Sequence, residues 1–220
     1  MTDRIDLSGE WRLALDKECR GVLPQFDDTI TLPDTTSHAG KGEDNPAREE
    51  GFLTDTKLFE GDAWFTRKAD LSAAVGKTAK LVFERTRITK LYIDGEYVGT
   101  QNSLVSPHVY DITKYVKGGE QEITVCVSNV GYPTKGGHLT SPDTQTNWNG
   151  ITGEMAVKIY GAAYADEVKV YPLLEEKAFR VVAKIKGAES GKAVISAESF
   201  NAPEGRAAHR PAAVNAIFTG

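Results

Sequence analysis

The stretch KLYIDGEYVGT, residues 90–100, decides the class of fold. Leu91 and Ile93 alternate with Lys90 and Tyr92, and Asp94-Gly95 then separates this run from one containing Tyr97 and Val98. An Asp-Gly pair between alternating runs marks a two-residue hairpin, because both turn positions need positive φ. The stretch therefore predicts two antiparallel strands. Working outward, the same period of two recurs in EWRLALD, which puts Trp11, Leu13 and Leu15 on one face. WFTRKADL, KLVFER, HVYDITKYV, QEITVCVSNV and MAVKIYG continue it. In QEITVCVSNV, Cys126 falls on the face opposite Ile123, Val125 and Val127. No helical period runs long enough to supply a crossover, so the short strands predict an all-β sandwich.

The chain has 220 residues, of which 40% are hydrophobic, enough for a sizeable core. Its formal charge of -5 is mild, and Lys and Arg are scattered rather than gathered into a stripe. No nucleic-acid partner is expected on that ground. No apolar run approaches the roughly 18 residues of a membrane span, so no membrane partner is expected either. His38, His108, His138 and His209 are dispersed, and Cys19 and Cys126 fit no metal spacing. No metal or cofactor is expected. The thiols read as buried and free, with a disulfide as the alternative. The opening MTDRIDLSGEW has no leader pattern. A periplasmic or secreted location after leader removal stays open.

Residues 31–62 and 129–150 break the alternation with Gly, Pro, Asn and Thr. Loops beyond about 12–15 residues are usually functional or disordered, and the His, amides and aromatics here favour function. Within the second lies TQTNWNG, residues 144–150, without a charge. Sugars present many hydroxyls and an apolar C–H face, which amide side chains and an aromatic plane match. Gln145, Asn147, Asn149 and Trp148 supply both. A structural alternative has Trp148 plugging the base of the sandwich, with Thr144 and Thr146 capping loop backbone.

Other candidates stand nearby in sequence. His138 in GGHLT precedes the heptapeptide, while Asp34 and His38 in LPDTTSHAG lie on the first long loop. The last two fit a site or a local turn role equally. In ERTR, Glu84 with Arg85 and Arg87 predicts a structural Arg–carboxylate fork. His108 reads as a packed turn residue. Beyond Gly161, ADEVKVYPLL, FRVVAKIKG, KAVISAES and AAVNAIFTG make about four strands, where an immunoglobulin-like sandwich needs about seven. The chain thus reads as ending inside its second domain. That leaves an apolar face and an edge exposed, and implies association into a homo-oligomer.

In order, LSGEWRLALD, LPDTT with AGKG, GDAWFTRKADL, LVFERTRITKLYIDGEYVG, SLVSPHVYDIT and GHLTSPDTQTNWNGITGEMAVKIY resemble one known domain. This is the N-terminal sugar-binding domain of glycoside hydrolase family 2, the β-galactosidases, β-glucuronidases and β-mannosidases. DEVKVYP resembles the start of that family's second domain. The resemblance implies a jelly-roll, galactose-binding-like sandwich over 1–162 and an incomplete immunoglobulin-like sandwich over 163–220. It also implies a parent whose TIM barrel carries two glutamates for retaining hydrolysis, about 5–5.5 Å apart. A chain without that barrel is expected to have no catalytic residues of its own.

The resemblance carries substrate contact onto Asn147 and Trp148, then onto Gln145 and Asp143, with His138 close by. Where some relatives have an acidic residue, this chain offers Asn147, with Asp143 the nearest carboxylate. The implied partners are a β-glycoside and the parent's barrel domain. The alternative function is a self-sufficient carbohydrate-binding module presenting Trp64 and Trp148. A sandwich for adhesion is disfavoured by the amide-rich loop.

Overall fold

In the computed structural model, which describes residues 3–46, 55–132, 147–199 and 209–219, the alternation becomes antiparallel strands. The chain divides into two units, Met1–Tyr160 and Gly161–Gly220. The first contains β1 (Asp3–Asp6), β2 (Gly9–Asp16), β3 (Asp28–Leu32), β4 (Asp34–Thr35), β5 (Glu43–Asp44), β6 (Lys57–Leu58) and β7 (Asp62–Asp70). It continues with β8 (Thr78–Phe83), β9 (Ile88–Ile93), β10 (Glu96–Gln101), β11 (His108–Asp111), β12 (Glu120–Ser128), β13 (Gly150–Ile151) and β14 (Met155–Tyr160). One sheet runs β1-β14-β8-β11 and the other β10-β9-β12-β7-β2-β3. Among the described residues the only helical pieces are two short 3-10 turns, so no helix is long and apolar enough to cross a membrane.

The β9–β10 hairpin forms as its sequence predicts, with Asp94 at φ 48° and Gly95 at φ 79°. The Asp94 carboxylate accepts from the Glu122 amide and the Gln121 side chain, both at 2.8 Å. The turn is therefore tied to the start of β12. Trp11, Leu13, Phe65, Leu91 and Val125 point from the six-stranded sheet into a core shared with Leu81, Phe83 and Val157 of the other. Parity sends Ala14, Trp64 and Cys126 to the opposite face, where Phe26 and Tyr92 cover them. Strands β7 and β12 are thus buried on both faces, which explains their near-continuous apolar reading.

Burial pushes the Cys126 thiol well above its ordinary range, and both cysteines are free. Cys19 departs from expectation: it is exposed, on the turn after β2 where its amide donates to the Asp16 carbonyl. His108 is packed as expected, but on strand β11 rather than in a turn. It is fully buried, 2.6 Å from the Thr89 hydroxyl, and its Nε2 lies 2.9 Å from the Ser103 carbonyl. The carbonyl can only accept, so Nε2 donates there and Nδ1 takes the Thr89 proton. That places a neutral imidazole in the core, and burial lowers its pKa accordingly.

The second unit contains β15 (Tyr164–Leu173), β16 (Ala178–Lys186), β17 (Ser190–Ile195) and β18 (Val214–Thr219). They pair only as two ladders among the described residues, β15 with β16 and β17 with β18. Val170 is 60% exposed and Ile217 85%. Phe179, Val181, Ile195 and Val214 line an open hollow of about 520 Å³ between the ladders.

Candidate functional site

The second long loop begins where β12 ends, and asparagines organise its base. Asn129, immediately after β12, donates from Nδ2 to the Asn147 carbonyl at 2.7 Å and the Phe59 carbonyl at 2.8 Å. Its Oδ1 accepts from the Gly61 amide at 2.9 Å. Asn147 returns the contact, donating from Nδ2 to the Asn129 carbonyl at 3.1 Å. The two residues form a reciprocal clasp across the loop base. Asn149, fully buried, donates to the Gly61 carbonyl at 3.1 Å and the Val127 carbonyl at 3.0 Å. One amide thereby ties the loop to the ends of β7 and β12.

Gly150 then pairs with Thr35 in the short β4–β13 ladder. Its φ is 130°, and a Cβ would run into the Asp34 carbonyl, so only glycine fits. Thr86 donates from Oγ1 to the Gly150 carbonyl at 2.9 Å, and its backbone bridges to Ile151. These bonds bring the first long loop and the start of β9 beside the heptapeptide.

Between the clasp and this ladder sits Trp148, half-buried. The Arg87 guanidinium lies 4.3 Å from its ring centroid, and Arg87 Nε donates to the Trp148 carbonyl at 3.0 Å. Arg87 is itself 1% exposed, and burial depresses its pKa. The Tyr132 phenol beside it has a raised pKa, through burial, with the Arg87 charge opposing. Of the predicted Arg–carboxylate fork, Arg85 forms a single ion pair with Glu84 at 3.7 Å, while Arg87 turns to the indole.

Asn147 Nδ2 also lies 3.2 Å from Glu60 Oε1, whereas its Oδ1 is enclosed and has no donor among the described residues. Beside Glu60 is a hollow of about 360 Å³ walled by Leu15, Leu58 and Phe59. At its rim Lys17 and Glu43 pair at 2.8 Å. On the first loop, His38 Nδ1 lies 2.9 Å from both Asp34 oxygens. The hydrogen bond and charge of Asp34 raise the pKa of this exposed imidazole. Among the described residues no three His, Cys, Asp or Glu side chains form a group that could hold a metal ion.

Of the residues singled out from the sequence, Asn147 and Trp148 are adjacent at this site. Asp34 and His38 are joined to it through the β4–β13 ladder. His138, Asp143, Thr144, Gln145 and Thr146 lie outside the described residues. Asn149 is corrected: with no exposed surface and both amide protons on strand-end carbonyls, it is framework rather than sugar contact. Trp64 is 1% exposed and presents no ring to a glycan. Asn129 and Glu60 were missed. The only sequence signal for Asn129 was a polar amide directly after an apolar strand, in VCVSN.

The structure is similar over 99% of this chain to Faecalibacterium prausnitzii beta-glucuronidase, at TM-score 0.67 and 17% identity. An uncultured Clostridium sp. beta-glucuronidase gives TM-score 0.66 at 19% identity, and Ruminococcus gnavus beta-glucuronidase 0.68 at 16%. These likenesses establish the fold. The chain spans only 40%, 39% and 38% of those proteins respectively. No curated protein matches it. The family described as "Glycosyl hydrolases family 2, sugar binding domain" matches residues 5–158, nearly all of the sandwich unit, and the chain belongs to that family.

Proposed function

We propose that this chain is the sugar-binding, non-catalytic part of a retaining β-glycosidase. In this reading it lends Asn147 and Trp148 to a substrate pocket that a TIM-barrel domain completes. Gln145, Asp143 and His138 belong to the same proposal. The second unit is the beginning of an immunoglobulin-like sandwich, and the sandwich unit is the family's jelly roll. The observation that carries the reading is a half-buried tryptophan on a loop whose base is fixed by side-chain bonds. In this reading the C–H face of the sugar ring packs on Trp148, and polar side chains of the same loop meet its hydroxyls. The names of the structural neighbours make β-glucuronides the first substrates to try.

The test is made in the protein carrying its barrel domain. Trp148→Ala is expected to reduce kcat/KM on an aryl β-glycoside at least tenfold, equivalent to about 1.4 kcal/mol. The melting temperature should stay within a few degrees. Loss of stability with unchanged turnover would instead assign Trp148 to the framework. The chain alone, freed of host glycosidases, is expected to hydrolyse no aryl glycoside. Saturable binding of a sugar by the isolated chain at millimolar concentration would favour a self-sufficient binding module.

A further inference from the structure

We infer that Arg87 is a positioning residue for sugar contact, holding the Trp148 ring at the angle in which it meets its ligand. The inference rests on the proposed function. Arg87 grips the same residue at two points: Nε holds the Trp148 backbone at 3.0 Å, and the guanidinium lies 4.3 Å from the ring centroid. A backbone bond alone would leave χ1 and χ2 of the indole free, and a ring contact alone would leave the loop free to slide. Together they fix the ring. The platform is itself rigid, because Arg87 directly follows Thr86, whose hydroxyl and backbone are bonded to Gly150 and Ile151.

Filling space does not require this residue. Enclosing a guanidinium carries a desolvation cost, and an apolar side chain of similar volume commonly serves stability as well or better. What the apolar substitute lacks is a planar cation that selects one ring orientation. Lysine keeps the charge but not the plane, so Arg87→Lys separates orientation from electrostatics. Trp148 is only half-buried, so part of this residue stays open to a ligand while Arg87 sits beside its ring.

The chain offers a direct readout. Its other two tryptophans, Trp11 and Trp64, are each 1% exposed, so acrylamide quenching of fluorescence reports on Trp148. Arg87→Lys is expected to raise the quenching constant in this chain and, in the protein carrying its barrel domain, to weaken binding of methyl β-D-glucuronide or methyl β-D-galactoside roughly fivefold. The melting temperature should change little. In a Trp148→Phe background the same substitution should have a clearly smaller effect on binding, since the ring it orients has been replaced. Unchanged quenching and affinity in Arg87→Lys would overturn the inference, as would an equal loss of affinity in both backgrounds. If the protein carrying its barrel domain binds neither glycoside, the sugar-contact reading fails. Quenching in Arg87→Lys then decides alone whether the arginine fixes the ring.

Discussion

The two units of this chain are written in the same alternating code and come out differently. In the first, Phe65 and Val125 alternate with Trp64 and Cys126, and all four are essentially without exposed surface. In the second, Val168, Val170 and Phe179 alternate with charged neighbours just as regularly and are each at least 44% exposed. Alternation selects which side chains share a face. Whether that face is buried depends on a second layer, which the sandwich unit has and the described ladders of the second unit lack. A strand's apolar stripe is therefore a request for a partner rather than a measure of stability.

The strongest way to break this comparison is core truncation. Phe65→Ala should cost roughly 3–5 kcal/mol in urea unfolding, because it opens a cavity between two packed sheets. Equal tolerance of Phe65→Ala and Val170→Ala would show that the sandwich core is not the seat of stability. Next comes Asn149→Ala, expected to cost about 2 kcal/mol or more by leaving the Gly61 and Val127 carbonyls without their donors. If its melting point matches the unaltered chain while sugar contact is lost, the framework role assigned here is wrong.

A smaller effect follows from His108. Its pKa is held below 6.5 by burial, so the unfolded chain takes up the proton first as pH falls. The stability contributed by the neutral ring is present above about pH 6.5 and is lost progressively below it. Melting curves at pH 7.5 and 5.5 should show the drop, and His108→Gln should flatten it. His38 runs in the opposite sense. Its pKa is raised by Asp34, so the contact favours the fold below the unfolded value and fades as pH rises through the folded one. Since His38 is exposed, NMR is the proper readout: its ring protons should titrate above 6.5 and return towards it in Asp34→Asn. Last, Val170→Ala should change stability by no more than about 0.5 kcal/mol. A larger loss would mean that the second unit finds a covering layer in solution.

Much of the sandwich was legible because local rules determined it. Asp94-Gly95 specifies its own turn, and parity in ITVCVS places Cys126 away from Ile123 and Val125 before any partner strand is known. The site was less legible. Asn147 and Trp148 stood out by residue type, but Asn149 has the same composition and neighbours and belongs to the framework. Its role is decided by the Gly61 and Val127 carbonyls, which are 88 and 22 residues distant in sequence. Arg87 misled for a similar reason. The nearby Glu84 suggested a partner, while the carbonyl that Arg87 Nε bonds is 61 residues away.

The reciprocal clasp between Asn129 and Asn147 has a consequence for how such a domain can diversify. It joins residue 129 to residue 147 with bonds made by their own side chains, so closure of this loop is secured at its base. Lengthening a flexible loop costs in general only about 0.6 kcal/mol per doubling, a small penalty beside such a closure. Related chains can thus differ in length between these two asparagines without touching a single strand.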